Sequence, residues 1–346
     1  MSTSENVDTK QFQIQQRRYI GNKNKLMPWI KMLIAENTKG DTFFDVFAGT
    51  GSVTNAVVDD FDNFVINDFL YSNEQSFYAF FGTEEVDWDK LNRYKDEFNG
   101  IDHCEKDDTY FVDNFGGRFF SQVDAMKIGE IRERIEQASD LNRRERAILI
   151  TSLVYSADHI ANTVGHYDAY RKRDDIEDRF HFDMIKPVDM TGKNVTIYRA
   201  DANEVVKDVN ADVVFLDPPY NSRQYSRFYH VLENITEWKK PELHGVAMKP
   251  DAENMSDYSR KAAPEVFDDL IQDIHGKYIV VTYNNTYENA KSSSSRNKIT
   301  HEQIMDSLNK VGETKVFSQG YRFFNAGHTD LAEHEEFVFI TEVRNG

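Results

Sequence analysis

Residues 213–220 have the sequence VVFLDPPY, an apolar run followed by Asp-Pro-Pro-Tyr. Its β-branched and aromatic residues are typical of a buried strand. The strand ends at Leu216, because prolines cannot continue a ladder of sheet hydrogen bonds and instead hold a stiff extended turn. In open α/β sheets, ligands bind beyond the carboxyl ends of the strands. The stretch therefore predicts a strand that presents Asp217, the Pro218 carbonyl and the Tyr220 ring at a ligand-binding edge.

These residues, with Pro219 between them, suit chemistry on a flat exocyclic amine. The lone pair of such an amine is delocalised into its base, and two acceptors on its two N–H groups favour the pyramidal nitrogen that can attack a sulfonium methyl group. Asp217 and the Pro218 carbonyl are two such acceptors, and the Tyr220 ring can stack on a base. No Cys or His nucleophile is required. The alternative is a Pro-Pro strand terminator with an ordinary acidic cap.

Strand signals surround this stretch on both sides. Residues 42–47 are an apolar run that leads through Ala-Gly-Thr-Gly into helical spacing at 52–58. Alternation of strands and helices favours an α/β fold with a doubly wound, mainly parallel sheet covered on both faces. The further predicted strands are 63–66, 195–198, 212–216, 278–283, 315–324 and 336–343. The last two of these predict an antiparallel hairpin at one edge of that sheet.

The middle third of the chain has helical patterns, such as 127–138 and 144–156, and almost no strand signals. It is therefore the candidate for an inserted module. We expect a disordered tail at 1–14, a core formed by 15–70 and 194–346, and a mostly helical insertion at 71–193.

A glycine loop follows the first predicted strand. Gly49 and Gly51 let the backbone approach a ligand closely, and Asp45 at the strand end can pair with a ligand ammonium. Asp68 follows near the spacing of about 20 residues at which an acid accepts from ribose hydroxyls. Alone, the loop is weak evidence for a ligand site, since it lacks the third glycine of the dinucleotide fingerprint. A structural turn and a helix-capping Asp68 are the alternatives.

A basic segment, residues 18–26 with the sequence RYIGNKNKL, precedes the glycine loop. Gly21, between Tyr19 and Lys23, suits a loop that folds over a cofactor with the lysine facing its carboxylate. The alternative is a solvated segment before the helix that begins near Pro28.

Composition limits the classes of protein. The chain has 346 residues, 40% of them hydrophobic and 29% charged, as in ordinary soluble globular proteins. No stretch approaches the roughly 20 apolar residues of a membrane span. The N-terminus lacks the features of a secretory signal. A lone Cys104 and ten histidines without a metal-ligand spacing indicate a reducing cytoplasm and metal-free chemistry.

Charge is unevenly distributed. The net charge of −18 argues against a polyanionic partner, because phosphate binding normally requires excess Lys and Arg. Residues 10–35, however, contain six basic residues and no acidic one, whereas 84–113 contain eleven acidic and four basic residues. This segregation permits a basic face.

The motifs in this order resemble the alpha group of DNA adenine N6-methyltransferases, which includes Dam-type and many restriction-modification enzymes. The order is Tyr-x-Gly-x-Lys, Asp-x-Phe-x-Gly-x-Gly-Ser, Asn-Asp and Asp-Pro-Pro-Tyr, and the strings at 162–167, 221–225 and 229–235 are similar to one branch. The resemblance spans most of the chain from Arg18 onward. It implies a class I S-adenosylmethionine-dependent methyltransferase fold and methylation of an adenine flipped out of double-stranded DNA.

The resemblance also implies site residues. Tyr19 and Lys23 would hold the methionine end of S-adenosylmethionine, Asp68 its ribose and Asp201 its adenine. The target base would be gripped by Asp217, Pro218, Pro219 and Tyr220. The cofactor set as a whole is Tyr19, Gly21, Lys23, Asp45, Phe47, Gly49, Gly51, Asp68, Asp201, Ala202 and Asp217.

Basic residues that flank the predicted catalytic edge are candidate DNA contacts, although most exposed Arg and Lys side chains are merely solvated. We expect a cytoplasmic protein that has no membrane contact and is a monomer or weak dimer. It would be the modification half of a restriction-modification system, with a cognate endonuclease as its partner in the cell. Methylation of a cytosine amine or of RNA adenine, a non-catalytic DNA-binding protein and a nicotinamide-dependent oxidoreductase are the alternatives. The candidate contacts are Arg17, Arg18, Arg223, Arg227, Lys291, Arg296 and Lys298.

Overall fold

The apolar runs of the sequence form one seven-stranded sheet with the order β3-β2-β1-β4-β5-β7-β6. Strands β1 to β5 pair in parallel, whereas β7 lies antiparallel between β5 and β6. The strands are β1 (Thr42–Asp45), β2 (Asn63–Asp68), β3 (Asn194–Arg199), β4 (Asn210–Leu216), β5 (His275–Asn284), β6 (Gly312–Gly320) and β7 (Glu335–Val343).

The structure is a computed structural model that describes residues 11–19, 23–102, 109–173, 175–220, 222–285, 298–320 and 335–344. The helices are α1 (Met27–Asn37), α2 (Ser52–Ala56), α3 (Tyr71–Phe81), α4 (Trp88–Asn99), α5 (Tyr110–Phe115), α6 (Gln122–Gln137), α7 (Arg143–Ile160), α8 (Ala202–Val205), α9 (Tyr225–Phe228), α10 (His230–Glu237), α11 (Ala263–Asp273) and α12 (His301–Val311).

The chain divides into two compact units. The sheet unit consists of Lys23–Glu74, Met190–Phe228 and Ala252–Gly346. The helical unit consists of Met1–Asn22, Gln75–Asp189 and Tyr229–Asp251. No helix in the described ranges has the length and apolar composition that crossing a membrane requires.

The central strands of the sheet unit are buried on both faces. Neighbouring side chains Phe43 and Phe44 of β1 point to opposite faces, and both are buried. Phe44 and Val214 join an apolar cluster with side chains of α8, α11 and α12, including Phe267. Burial on both faces is the property of a parallel sheet covered by helices. The predicted doubly wound, mainly parallel sheet with a C-terminal antiparallel hairpin is confirmed.

The pairing register determines which residues meet at the carboxyl edge. Asp45 of β1 is opposite Phe215, near the end of β4, and Asp68 of β2 is opposite Arg199 of β3. Because β7 runs antiparallel, its first residues reach the same edge, where Glu336 is opposite Asn284 of β5. The edge therefore collects the ends of the parallel strands and the beginning of β7.

The helical unit differs in extent from the expected insertion at 71–193. It also contains residues 229–251, because α10 packs on α7 and the Arg132 guanidinium of α6 donates to the carbonyls of Ile235 (2.7 Å) and Thr236 (3.2 Å). The expectation of a disordered tail at 1–14 does not hold for Phe12 and Ile14, because both side chains are buried. The two helices predicted in this region are present as α6 and α7.

Candidate active site

Asp217 follows the buried strand β4, and its carboxylate is held from two sides. The Thr282 hydroxyl on β5 donates to Asp217 Oδ1 at 2.8 Å, and Lys23 Nζ lies 3.3 Å from the same oxygen. Oδ2 receives neither contact. Because the last four residues of β4 are apolar and buried, the position of its end is fixed, and with it the backbone of Asp217 and Pro218.

Lys23 lies between two carboxylates. Its ammonium is 3.3 Å from Asp217 Oδ1 and 3.5 Å from Glu336 Oε2, and only 9% of its side chain is exposed. Burial acts to lower the pKa of Lys23, but the charges of Asp217 and Glu336 outweigh it and raise the pKa. Lys23 is therefore a cation fixed beside Asp217.

The sequence did not point to Glu336 or to its partner Asn284. Glu336 Oε1 accepts a hydrogen bond from Asn284 Nδ2 at 3.2 Å. Burial raises the pKa of Glu336, while the charge of Lys23 opposes that shift. The available signal was strand parity: Glu336 lies on the same face of β7 as the buried residues Val338 and Ile340.

The ring of Tyr220 is oriented by a second aromatic side chain. It meets Tyr283 edge to face, with ring centroids 5.0 Å apart and planes at 87°. The backbone N–H of Lys298 donates to the Tyr220 carbonyl at 2.6 Å. Burial, aided by the charge of Asp217, raises the pKa of Tyr220 well above its ordinary value, so that the phenol is neutral at physiological pH.

Asp45, at the end of β1, is a carboxylate without a nearby lysine contact in the described part of the chain. Its Oδ2 accepts a hydrogen bond of 2.8 Å from the Thr54 hydroxyl, whereas Oδ1 is buried with no hydrogen-bond partner among the described residues. Burial raises the pKa of Asp45 to about 7; the Thr54 hydrogen bond opposes this shift, and the charges of Asp217 and Asp68 add to it. Asp45 therefore changes charge close to neutral pH.

The glycine loop is tied to Asp68. Gly49 and Gly51 have φ angles of 57° and 81°, in the left-handed region that favours glycine. The Gly49 N–H donates to Asp68 Oδ2 at 2.9 Å, while Oδ1 accepts from the Leu70 N–H and from Asn73 Nδ2. Burial raises the pKa of Asp68, and these hydrogen bonds oppose the shift. The loop and the end of β2 are thus fixed to each other.

Asn67 has a positioning role that the sequence did not reveal. Its amide donates to the carbonyls of Val46 (3.0 Å) and Ala200 (3.2 Å), and its Oδ1 accepts from the Ala200 N–H. This buried side chain, near the end of β2, thus links the residues that directly follow β1 and β3. Close by, Asp201 caps α8 by accepting from the Asn203 N–H, and Ala202 is buried. Phe47 packs edge-on against Tyr258.

Within the helical unit, the predicted site residues have partners of their own. Tyr19 stacks on Tyr229 at 4.9 Å, with the buried Arg17 guanidinium 5.6 Å and 5.8 Å from the two ring centres. The Arg18 backbone N–H donates to Asp158 Oδ2 at 3.0 Å, and its guanidinium lies 3.5 Å from Oδ1. The ion pair engages the charge of Arg18, and its contact with DNA stays a prediction.

Of the other predicted DNA contacts, Arg223, Arg227 and Lys298 belong to the sheet unit. Arg223 and Arg227 are partly buried, and the Arg223 carbonyl accepts from the Ser259 hydroxyl. Gly21 of the cofactor set and Lys291 and Arg296 of the DNA set lie outside the described residues.

Comparison with known proteins identifies a family. Residues 19–284 match the D12 class of N6 adenine-specific DNA methyltransferases. Modification methylase StsI of Streptococcus sanguinis is 31% identical over 78% of this chain and 44% of its own length. Modification methylase LlaI of Lactococcus lactis subsp. lactis is 32% identical, with coverages of 78% and 46%. This chain spans about half the length of these two relatives.

A further relative is similar in length to this chain. Type II methyltransferase M.NlaIII of Neisseria lactamica is 25% identical, and the similarity covers 94% of this chain and 98% of that protein. The family match therefore includes both longer proteins and one of comparable size.

Proposed function

We propose that this chain, which belongs to the D12 class of N6 adenine-specific DNA methyltransferases, transfers the methyl group of S-adenosylmethionine to the exocyclic amine of an adenine flipped out of double-stranded DNA. The observation that carries the proposal is the environment of Asp217. One carboxylate oxygen is held by Thr282 and Lys23, which leaves Oδ2 to accept from a substrate N–H.

The residues at the sheet edge fit a cofactor that carries an ammonium, a ribose and a sulfonium. Asp45 Oδ1 is a buried acceptor without a partner in the described part of the chain, as an ammonium site requires. Asp68 lies beside the glycine loop and would accept from ribose hydroxyls. When bound, the cofactor supplies an electrophilic methyl group. Tyr19, Gly21, Phe47, Gly51, Asp201 and Ala202 complete the proposed cofactor set.

The proposed reaction depends on acceptors and stacking. Asp217 and the Pro218 carbonyl accept from the two N–H groups of the target amine, which favours the pyramidal nitrogen whose lone pair can attack. The neutral Tyr220 ring, oriented by Tyr283, stacks on the base. Transfer would form the new N–C bond as the sulfonium S–CH3 bond breaks, which leaves a neutral thioether, and the extra proton on the nitrogen would pass to solvent. Lys23 contributes by holding Asp217.

The proposed setting is site-specific DNA modification within a restriction-modification system. StsI and LlaI are named modification methylases, which supports that setting. Double-stranded DNA would contact Arg18, Arg223, Arg227, Lys291 and Arg296, and the helical unit would contribute to sequence recognition. We further propose a cytoplasmic location and a monomer or weak dimer, with a cognate endonuclease as a partner in the cell.

The test is transfer of label from isotope-labelled S-adenosylmethionine to mixed-sequence duplex DNA, followed by digestion and identification of the labelled nucleoside. The expected product is N6-methyldeoxyadenosine, and the Asp217→Ala variant is the inactive control. Label in a methylated deoxycytidine, or in RNA offered in parallel, would redirect the proposal to those substrates. A folded, cofactor-binding wild type that labels none of them would contradict it.

A further inference from the structure

Glu336 is buried next to the proposed catalytic edge but belongs to none of the motifs. It lies on β7, more than 100 residues after the Asp-Pro-Pro-Tyr turn. Only 11% of its side chain is exposed, and Oε2 lies 3.5 Å from Lys23 Nζ. A charge in such a place is retained only when paired and hydrogen-bonded, because taking it out of water costs free energy.

The contacts of Glu336 lead to the proposed catalytic carboxylate. Asn284 fixes Oε1 from the neighbouring strand, and Oε2 holds one side of the Lys23 ammonium. The other side of that ammonium faces Asp217 Oδ1, which Thr282 also contacts. Thr282 and Asn284 are two residues apart on β5 and thus on the same face of the sheet. Two adjacent strands therefore support one row of polar side chains.

We propose that Glu336 is a positioning residue for methyl transfer: it holds Lys23 in place, and Lys23 together with Thr282 orients the carboxylate of Asp217 so that Oδ2 faces the target amine. The inference rests on the proposed function and extends it by assigning a role to β7. It also gives Lys23 a role different from holding the cofactor carboxylate. Without Glu336, the lysine has one anchor in place of two, and Asp217 is held less rigidly.

Glu336→Gln is the first variant, because glutamine keeps the shape and an oxygen for Asn284 while removing the charge that holds Lys23. The matched control is Glu342→Gln on the exposed end of the same strand. We expect Glu336→Gln to lower kcat about tenfold, as loss of alignment does, with the dissociation constant for S-adenosylmethionine within about twofold of the wild type. Thermal unfolding of each variant shows that it is folded.

A double-mutant cycle with Lys23→Met tests whether Glu336 acts through the lysine. Once the ammonium is gone, adding Glu336→Gln should change kcat less than about twofold. If the two substitutions instead multiply their effects, Glu336 acts independently of Lys23, which overturns the inference. Full turnover by folded Glu336→Gln would also overturn it, as would a loss confined to cofactor affinity.

Glu336→Asp guards against failure of the first variant to fold. It keeps the charge but shortens the side chain, so that kcat should again fall with cofactor affinity retained. Wild-type turnover in the same assay separates the two proposals. An active wild type with fully active Glu336 variants overturns the role of Glu336 alone, whereas a wild type that methylates no DNA overturns the proposed function as well.

Discussion

The ends of β1 and β4 each carry an aspartate at the same edge of the sheet, yet the two carboxylates have different surroundings. Each accepts a hydrogen bond of 2.8 Å from a threonine hydroxyl, Thr54 for Asp45 and Thr282 for Asp217. Asp217 has the Lys23 ammonium at 3.3 Å, whereas Asp45 has a buried oxygen with no partner in the described chain. The difference between the two sites is one cation.

The presence or absence of that cation suits the two carboxylates to different ligands. Burial without a paired positive charge raises the pKa of Asp45 to about 7, so that its ionised form gains most from a cation brought by a ligand. Asp217 already has its cation within the chain and can serve as an acceptor for a neutral amine. We therefore interpret the end of β1 as the place where the cofactor ammonium binds, and the end of β4 as the place where the base is held.

Asp217→Ala gives the largest expected effect on this comparison. It removes an acceptor that the amine needs in the transition state, so methyl transfer should fall by about a thousandfold or more. Cofactor affinity should weaken only modestly. Single-turnover transfer and calorimetric titration with S-adenosylmethionine measure the two properties. Asp269→Ala, at an exposed position on α11, is the control and should behave as the wild type.

Lys23→Met makes the end of β4 resemble the end of β1. With the ammonium removed, Asp217 and Glu336 face each other without a cation, and Asp217 loses a contact that orients it. We expect about a hundredfold lower kcat and a loss of about 2 kcal/mol in the free energy of unfolding. Rates and urea unfolding provide the measurements. A variant that transfers methyl normally but binds cofactor poorly would return Lys23 to a cofactor role.

The pH dependence of cofactor affinity tests the interpretation of Asp45. Because its pKa is raised to about 7, the ionised form that pairs with an ammonium is depleted below that pH. The affinity for S-adenosylmethionine should therefore fall about tenfold per pH unit below about pH 6. Calorimetric titrations across this range measure it. Asp45→Asn should bind weakly and without this dependence; an identical dependence in that variant would contradict the interpretation.

Stability gives the smallest expected effect. A carboxyl whose folded pKa is raised from 3.8 to about 7 stabilises the fold most below pH 3.8, and that contribution is lost as the pH rises through 7. Asn is neutral at every pH. Asp45→Asn should thus be more stable than the wild type at pH 8 by about 1 kcal/mol, and the two should converge near pH 4. Denaturant unfolding at both pH values is the measurement. Equal stability of Asp45→Asn and the wild type at pH 8 would show that burial does not destabilise the ionised form of Asp45.

Much of the fold could be predicted because its signals are local. The run Val213–Leu216 and the two prolines after it give a buried strand and its end without knowledge of any distant residue. The run at 336–343 likewise indicated the last strand. Asp45 and Asp217 were each predicted at the end of a strand, and parallel strands end on the same side of a sheet.

The parts that the sequence did not show depend on distant contacts. Lys23 and Glu336 are separated by 313 positions, and their pairing arises because β7 inserts antiparallel between β5 and β6. No local pattern reports that insertion. Similarly, residues 229–251 follow the Asp-Pro-Pro-Tyr turn in the chain but belong to the helical unit, because α10 packs on α7. The different surroundings of Asp45 and Asp217 also depend on a distant contact, because Lys23 lies beside Asp217.

The most direct test of the separation between the two carboxylates is to measure cofactor affinity and single-turnover methyl transfer side by side for Asp45→Asn and Asp217→Ala at pH 8. We expect Asp45→Asn to bind S-adenosylmethionine at least about tenfold more weakly and, at saturating cofactor, to transfer methyl close to the wild-type rate. Asp217→Ala should bind it and transfer almost none. Loss of the same property in both variants, or normal transfer by Asp217→Ala, would contradict the assignment of the two sites.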